Sequence, residues 1–537
     1  MNSQEMRAQQ NNRFPEIEQF ALFTDRSIYA TGENIAFAAF QLIDNQPQEI
    51  LSKVLYVELI SPQADQLSAG KFILSTQGAQ GKLEIPEDLN SGNYYLRAYT
   101  KYMRNIGPEA YAYALLKVVN PEKPVSNFLV DSVSFLSLSK VQNDRLSSSN
   151  LPKDTIFAEK NVIANLPSDF QENLLSTCVS VVPANSFAAN YYAAEHKRFF
   201  NQIEYLPETQ GLSISGLLKN NENDSVIAGA RIKLSIIGNG RDFLSTETNE
   251  DGRFLLALPD YSGRRDLFVC TENSLEKAAD LLIDNDYCRI PVQLPDTVFT
   301  LSEAEKDVAL QLINNQRIAV NFYENILVKD TFSAAFNKAF YGTPSEIVRL
   351  SNYVELPNLE EYFNELPTLA KVRKKQGKKY FKVLSNNAEI PVFEPLVMVD
   401  QVAIDNTEAV LAVSPKQIER IEIINAPYTK GAYTYGGIIH LISKEGYFAD
   451  IDLPKNGLFL DYQFLSPKKA QLKNKEVSHE NPEAANTIYW NPLVTASELE
   501  KGISYRTPAL AGNYELLVRG TTKEGKAFST KYLLVIN

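Results

Sequence analysis

Cysteine, histidine, methionine and tryptophan are all scarce here: 3, 3, 4 and 1 of 537 residues. Cys178, Cys270 and Cys288 are an odd number without metal-ligand spacing. Buried free thiols are the favoured reading, with a Cys270–Cys288 disulfide as the alternative. His196, His440 and His479 are far apart in sequence, with no H-E-x-x-H pair and no Cys/His cluster. A catalytic zinc therefore lacks ligands. His440, in an alternating strand, reads as a satisfied sheet residue. There is no G-x-S-x-G, no G-x-x-x-x-G-K-[ST], no G-x-G-x-x-G and no D-x-[DN]-x-[DN]-G loop, so the sequence leads us to expect neither an enzyme nor a cofactor or metal. The adjacent Glu360 and Glu361 face different ways on a helix and read as solvated surface. No apolar run reaches the ~20 residues of a membrane helix. The first thirteen residues, MNSQEMRAQQNNR, hold no apolar signal-peptide core, which leaves a cytoplasmic protein or a mature form. Excess positive charge is also missing: the net charge is −12, which argues against a nucleic-acid partner.

What the chain does have is length and strand-forming residues. Its 537 residues suffice for about three to five domains, and its 27 tyrosines and 28 phenylalanines favour strands. The expected fold class is mainly β: tandem β-sandwiches plus one small α+β module. After a flexible tail at 1–13, residues 14–121 read as a sandwich. In it Asp25-Arg26 ends a strand, Gly32 supplies a turn without Cβ strain, and VLYVELISP alternates as a half-buried strand. Residues 122–210 read as an irregular second sandwich, with a helix over Tyr191–Tyr205. Residues 211–300 hold a third sandwich and a linker, marked by the Asp251-Gly252 hairpin turn. A helical connector spans 301–345. Ser302-Glu-Ala-Glu305 caps its helix, and Val308, Leu310, Leu312, Ile313 and Ile318 give it an apolar side. Residues 346–455 form the α+β module, and 456–537 a linker and four strands. Four strands make half a sandwich, so an earlier segment, within 122–190, is expected to complete it.

Three stretches resemble known families. Pro395-Leu-Val-x-Val-Asp400, Ile418-Glu-Arg-Ile-Glu422 and Tyr435-Gly436-Gly437-Ile438-Ile439 up to Lys444 follow in order over about fifty residues. Together they resemble the plug domain of TonB-dependent outer-membrane receptors. Gln401 stands where that family usually has Gly. About ninety residues follow Gly446. A membrane strand needs ~9–11 residues and a plugged transporter roughly 22 strands, so these residues cannot supply the barrel. The pattern Asp25-Arg26-x-x-Tyr29-x-x-Gly32-Glu33 resembles a macroglobulin-type domain of the α-macroglobulins. The Cys-Gly-Glu-Gln thioester of that family is missing, so covalent protease trapping is not implied. The hairpin around Asp251-Gly252 resembles the carboxypeptidase-regulatory-like domain, which often precedes plugs in Bacteroidota cell-envelope proteins.

Two features are candidate interaction residues. The turn Ala426–Gly437 carries Tyr428, Tyr433 and Tyr435 among glycines, a contact surface of large area at low entropy cost; the alternative is rings packed on the module's own sheet. The basic run with Lys374, Lys375, Lys378 and Lys379 suits phosphate or an acidic partner, against the blander reading of a solvated hairpin whose lysines block edge aggregation. The resemblances imply a non-enzymatic scaffold or accessory subunit of a bacterial outer-membrane transport, secretion or assembly complex. It would be peripheral to the membrane, on the periplasmic or the exposed side, with no nucleic-acid partner. The alternative is a ligand- or glycan-binding protein serving TonB-dependent nutrient uptake.

Overall fold

The computed structural model describes residues 18–42, 51–123, 125, 138–140, 156–165, 173–187, 191–194, 203–237, 242–272, 275, 278–292, 294, 298–322, 339–431, 433–466 and 485–537. The tail at 1–13, His196 and His479 lie outside them. The chain is mainly β and divides into two units, one of residues 1–211, 286–328 and 465–537, the other of residues 212–285 and 329–464.

The first unit holds two sandwich-like pairs of sheets. One pair combines a three-stranded sheet, ordered Phe20–Thr24, Asn34–Gln41, Ala79–Glu84, with a seven-stranded sheet. The larger sheet runs Gln66–Ile73, Val54–Ile60, Gly92–Tyr99, Ala112–Val119, Tyr191–Ala194, Leu138–Lys140, with Ile28–Ala30 parallel to Ala112–Val119. The other pair shows where the C-terminal strands find their partners. Leu174–Pro183 lies between Tyr489–Asn491 and Gly512–Thr522, with Ala527–Ile536 outermost, and Asn161–Ala164 pairs with Ile503–Arg506. Side-chain alternation makes Thr177–Pro183 buried on both faces. Val179 and Val181 join Tyr514, Leu516 and Phe528 in one core, while Cys178 and Val182 join Phe23, Phe40 and Leu517 in another.

Three details of the sequence reading change here. The described part of 122–210 contributes strands to three sheets of this unit, not a sandwich of its own. Tyr191–Ala194 is a strand, not the start of a helix, because it pairs with both Ala112–Val119 and Leu138–Lys140; residues 195–202 lie outside the described part. The helix Glu303–Phe322 keeps its cap, Ser302 N to Glu305 Oε2 at 2.8 Å and Glu305 N to Ser302 Oγ at 3.3 Å. Its Val308, Ala309 and Leu312 pack on Ile28, but Leu310 is 60% exposed, since two residues on a helix are roughly 200° apart.

The second unit joins a sandwich to the α+β module. A three-stranded sheet (Arg253–Ala257, Ser213–Asn220, Ala279–Ile283) accompanies a four-stranded one: Asp242–Glu247, Arg231–Ile237, Arg264–Thr271, Leu458–Gln463. The last strand comes from beyond the α+β module, so this sandwich does not end near residue 300. The module itself is a five-stranded mixed sheet: Glu346–Arg349, Ile418–Ile424, Ile438–Ser443, Leu396–Val399 and Val402–Ala403, with Leu396–Val399 parallel to Ile438–Ser443. The helices Leu359–Glu365 and Thr407–Ala412 and the hairpin Ala370–Lys375/Lys378–Val383 share its core, together with Phe268 and Cys270 of the sandwich. All three cysteines are buried and free.

Candidate interaction sites

In the α+β module, the motif residues build one connected polar core. Asp400 (φ +45°) and Gln401 (φ +77°) form the two-residue turn between Leu396–Val399 and Val402–Ala403. A residue without a β-carbon is the ordinary choice at the second position; here local bonds hold Gln401 instead. The Asp400 carboxylate accepts from Ser443 N (2.9 Å), Ser443 Oγ (2.5 Å) and Phe448 N (2.9 Å). Gln401 N donates to His440 Nε2 at 3.1 Å. With Nε2 accepting, neutral His440 carries its proton on Nδ1. Nδ1 then donates to Tyr341 Oη (2.6 Å), whose own proton goes to Glu422 Oε2 (2.6 Å). Burial alone would push the Glu422 carboxyl up, but the Tyr341 hydroxyl and the Arg420 guanidinium hold it below the usual carboxylate range. His440 is thus a structural link in a buried chain, accepting at Nε2 and donating at Nδ1. The sequence pointed to Asp400 and His440, but nothing in it marked Tyr341 as the link.

The three tyrosines of the turn lie against the sandwich of their own unit. Tyr435 is buried with Phe243, ring centroids 5.9 Å apart, and Tyr428 meets Phe340 at 5.6 Å. Tyr433 donates to Glu247 and lies under the Arg231 guanidinium, 4.1 Å from the ring centre. Gly431, at φ +63°, leaves no room for a side chain: a β-carbon would stand 2.5 Å from Ser245 O. Within the unit these rings form an internal contact with the strands Arg231–Ile237 and Asp242–Glu247.

The basic residues sit on a two-stranded hairpin whose turn, Gln376 (φ +49°) and Gly377 (φ +84°), has both central residues at positive φ. Val372, Phe381 and Val383 point into the module core, with Phe381 edge-on to Phe363 at 4.9 Å. The cations extend beyond that core. Lys379 is held by Glu360 at 2.7 Å, and Lys371 donates to Asn364 O at 2.7 Å. Among the described residues, no carboxylate pairs with Arg373, Lys374, Lys375, Lys378 or Lys382, and the first four of these are exposed around the tip.

The first unit contains two buried charge clusters. In the Asp25–Glu33 motif, Arg26 Nη2 meets Glu33 Oε1 at 2.9 Å, Tyr29 Oη donates to Asp25 Oδ1 at 2.8 Å, and Asp25 Oδ1 also accepts from Ala36 N at 3.0 Å. Asn486 donates to Glu33 Oε1 at 2.6 Å and Arg26 Nε donates to Thr487 Oγ1 at 2.9 Å, so the motif fixes the approach to the C-terminal strands. The second cluster lies on the seven-stranded sheet. Arg97 pairs with Glu58 and donates to Cys288 O (2.9 Å), Lys71 pairs with Asp286 (2.6 Å), and Tyr56 donates to Glu208 (3.0 Å). The two stretches flanking residues 212–285 in sequence are thereby fastened to one sheet of their own unit.

A third feature is an open sheet edge. Ala527–Ile536 is the outermost strand of its sheet, and among the described residues it meets a further neighbour only at Ile536, which bridges to Ile156. Leu533 and Val535 are 65% and 49% exposed on it. Among the described residues no group of His, Cys, Asp or Glu could hold a metal ion, and no helix is long and apolar enough to cross a membrane.

No family model and no curated protein matches the chain. Solved structures do. A point mutant of Salmonella alpha-2-macroglobulin is 8% identical over 98% of this chain and 40% of its own, with a TM-score of 0.23. Escherichia coli alpha-2-macroglobulin in its native conformation is 8% identical over 97% and 40%, at 0.22. Dimeric latent PorU from Porphyromonas gingivalis is 10% identical over 52% and 34%, at 0.16. The chain spans about 40% of the length of these macroglobulins. At such scores the matches carry no argument about function.

Proposed function

We propose that this protein is a non-enzymatic scaffold, an accessory subunit of a bacterial outer-membrane complex. It binds its partners through sandwich edges and through the plug-like module of residues 346–455, with residues 211–300 as a carboxypeptidase-regulatory-like domain of the Bacteroidota type. The observation that carries this reading is the Ala527–Ile536 edge. A ten-residue edge strand with exposed Leu533 and Val535 is a template for strand addition, and sheet proteins ordinarily block such edges with charge, proline or a bulge. Lys531 is the one charged residue on its exposed side, and it is engaged by Glu515 at 3.0 Å. The apolar strands of the plug-like module support the reading further: they are covered by their own helices, hairpin and sandwich, so the module stands without a barrel wall around it.

The test is native-level expression of tagged protein, in-cell crosslinking and envelope fractionation. The expected result is stoichiometric co-purification with an integral outer-membrane protein, lost in Leu533→Lys/Val535→Lys. Recovery of the wild-type chain alone in the soluble fraction, or in complex with a glycan and no protein, would overturn the proposal.

A further inference from the structure

We infer that the hairpin Ala370–Lys375/Lys378–Val383 is a docking arm for a phosphate-bearing anionic lipid surface. This rests on the outer-membrane reading above but uses the other unit of the chain. Lys371, Arg373, Lys374, Lys375, Lys378, Lys379 and Lys382 give the fourteen residues 370–383 a charge of +7, with no acidic residue among them. The whole chain carries −12, so the remainder carries −19. A protein of that charge is repelled by an anionic surface except where cations are concentrated and presented clear of the rest.

The register makes the arrangement costly for the free protein. Lys371 stands opposite Lys382, Lys374 opposite Lys379, and Lys375 opposite Lys378. Like charges directly opposite on a strand pair are destabilising, and only Lys379 of these six has a carboxylate at hand. An anion placed between two paired ammonium groups relieves that repulsion. Edge protection by a lysine does not account for six lysines in three facing pairs with an arginine beside them.

The chemistry also separates lipid phosphate from an acidic protein. Six of the seven cations are lysine, point charges suited to a diffuse field of phosphates rather than to the bidentate docking of a single oxyanion group that the arginine fork provides. The exposed tip, Lys374–Lys378, has no apolar residue that could anchor a protein interface. Tyr380, 40% exposed on the outer face opposite Arg373, has the amphipathic ring suited to the level of lipid headgroups. The arm is rigidly based, since Val372, Phe381 and Val383 are locked in the module core.

The experiment is co-sedimentation of the full chain with phosphatidylcholine vesicles containing none or a third phosphatidylglycerol. Binding is expected only to the anionic vesicles and should fall by about tenfold or more from 50 to 300 mM NaCl. Each tip lysine near an anionic surface contributes roughly fivefold in affinity, so Lys374→Gln/Lys375→Gln/Lys378→Gln should lose about a hundredfold while its thermal unfolding is unchanged or raised. Three outcomes would overturn the inference. One is equal binding to both vesicles. Another is undiminished binding by the folded triple variant. The third is no vesicle binding together with saturable binding of a polyglutamate peptide, which assigns the arm to an acidic protein. Absence of anionic-vesicle binding by the wild-type chain alongside continued co-purification with an outer-membrane protein would sink this inference and leave the scaffold reading standing; the converse would separate them the other way.

Discussion

Arg97 Nε lies 2.7 Å from Glu58 Oε2, and both side chains are withdrawn from solvent. The remaining bonds around the pair, Tyr99 Oη to Glu58 (2.6 Å) and Arg97 Nη2 to Cys288 O (2.9 Å), tie the seven-stranded sheet to the stretch that follows residue 285. Removing one member strands a buried charge. Arg97→Met should therefore cost about 3–5 kcal/mol, while Glu58→Leu/Arg97→Met should recover much of the loss. The only tryptophan, Trp490, lies in the same unit, so its fluorescence in a urea titration gives the midpoint shift. Equal stability of the single variant and the wild type would contradict the pairing.

Removing residues 486–537 should give an aggregating protein. Leu174–Pro183 would lose both neighbours in its sheet, and Val179, Val181, Cys178 and Val182 would lose their cover on two faces. Asp25, Arg26 and Glu33 would lose Asn486 and Thr487 at the same time. Light scattering of the eluted 1–485 fragment tests this; a monodisperse monomer would speak against it.

His440→Leu should loosen the turn at Asp400–Gln401 without abolishing the module. Gln401 N–H and the Tyr341 hydroxyl each lose a partner, and a buried orphan group costs about 1–3 kcal/mol. Hydrogen exchange over residues 396–443 should then be faster by at least about tenfold at the Gln401 amide. Unchanged exchange there would mean that His440 does not hold the turn.

Stability of the first unit should fall in acid partly through Glu305. Burial raises its pKa, but the Lys117 ammonium at 2.7 Å and the Ser302 cap hold it below the usual 4.5. A carboxyl depressed by folding contributes stability above its unfolded pKa, and that contribution is lost as pH falls through the folded value. Glu305→Gln should therefore be less stable than wild type at neutral pH and level with it in acid below the folded value. Trp490 fluorescence in urea at both pH values decides it; a gap that stays constant would exclude this titration.

The sequence read the local grammar well because short-range sterics and alternation are written residue by residue. Gly32 has φ +79° and Gly252 φ +69°, both in the turns that the flanking strands demanded. Ser302 and Glu305 cap their helix reciprocally, and VLYVELI and IERIEII are strands. LVMV and IIHLIS are strands as well.

What only the tertiary structure decided are the pairings between residues far apart in the chain. Period-two alternation says that a strand has a face to bury, but not against which strand. Leu174–Pro183 meets strands that begin more than three hundred residues later, and Leu458–Gln463 pairs with Arg264–Thr271 across the whole α+β module. The same holds for charge. Lys374 and Lys379 are equivalent in composition, yet only Lys379 comes within reach of Glu360. The turn tyrosines were equally suited to an outside partner or an inside one, and the strand Asp242–Glu247 of their own unit is what they touch. Local preference is encoded within a few residues, whereas the choice of partner is made by closing long loops, whose entropy cost grows only slowly with length and so leaves little trace in the sequence between.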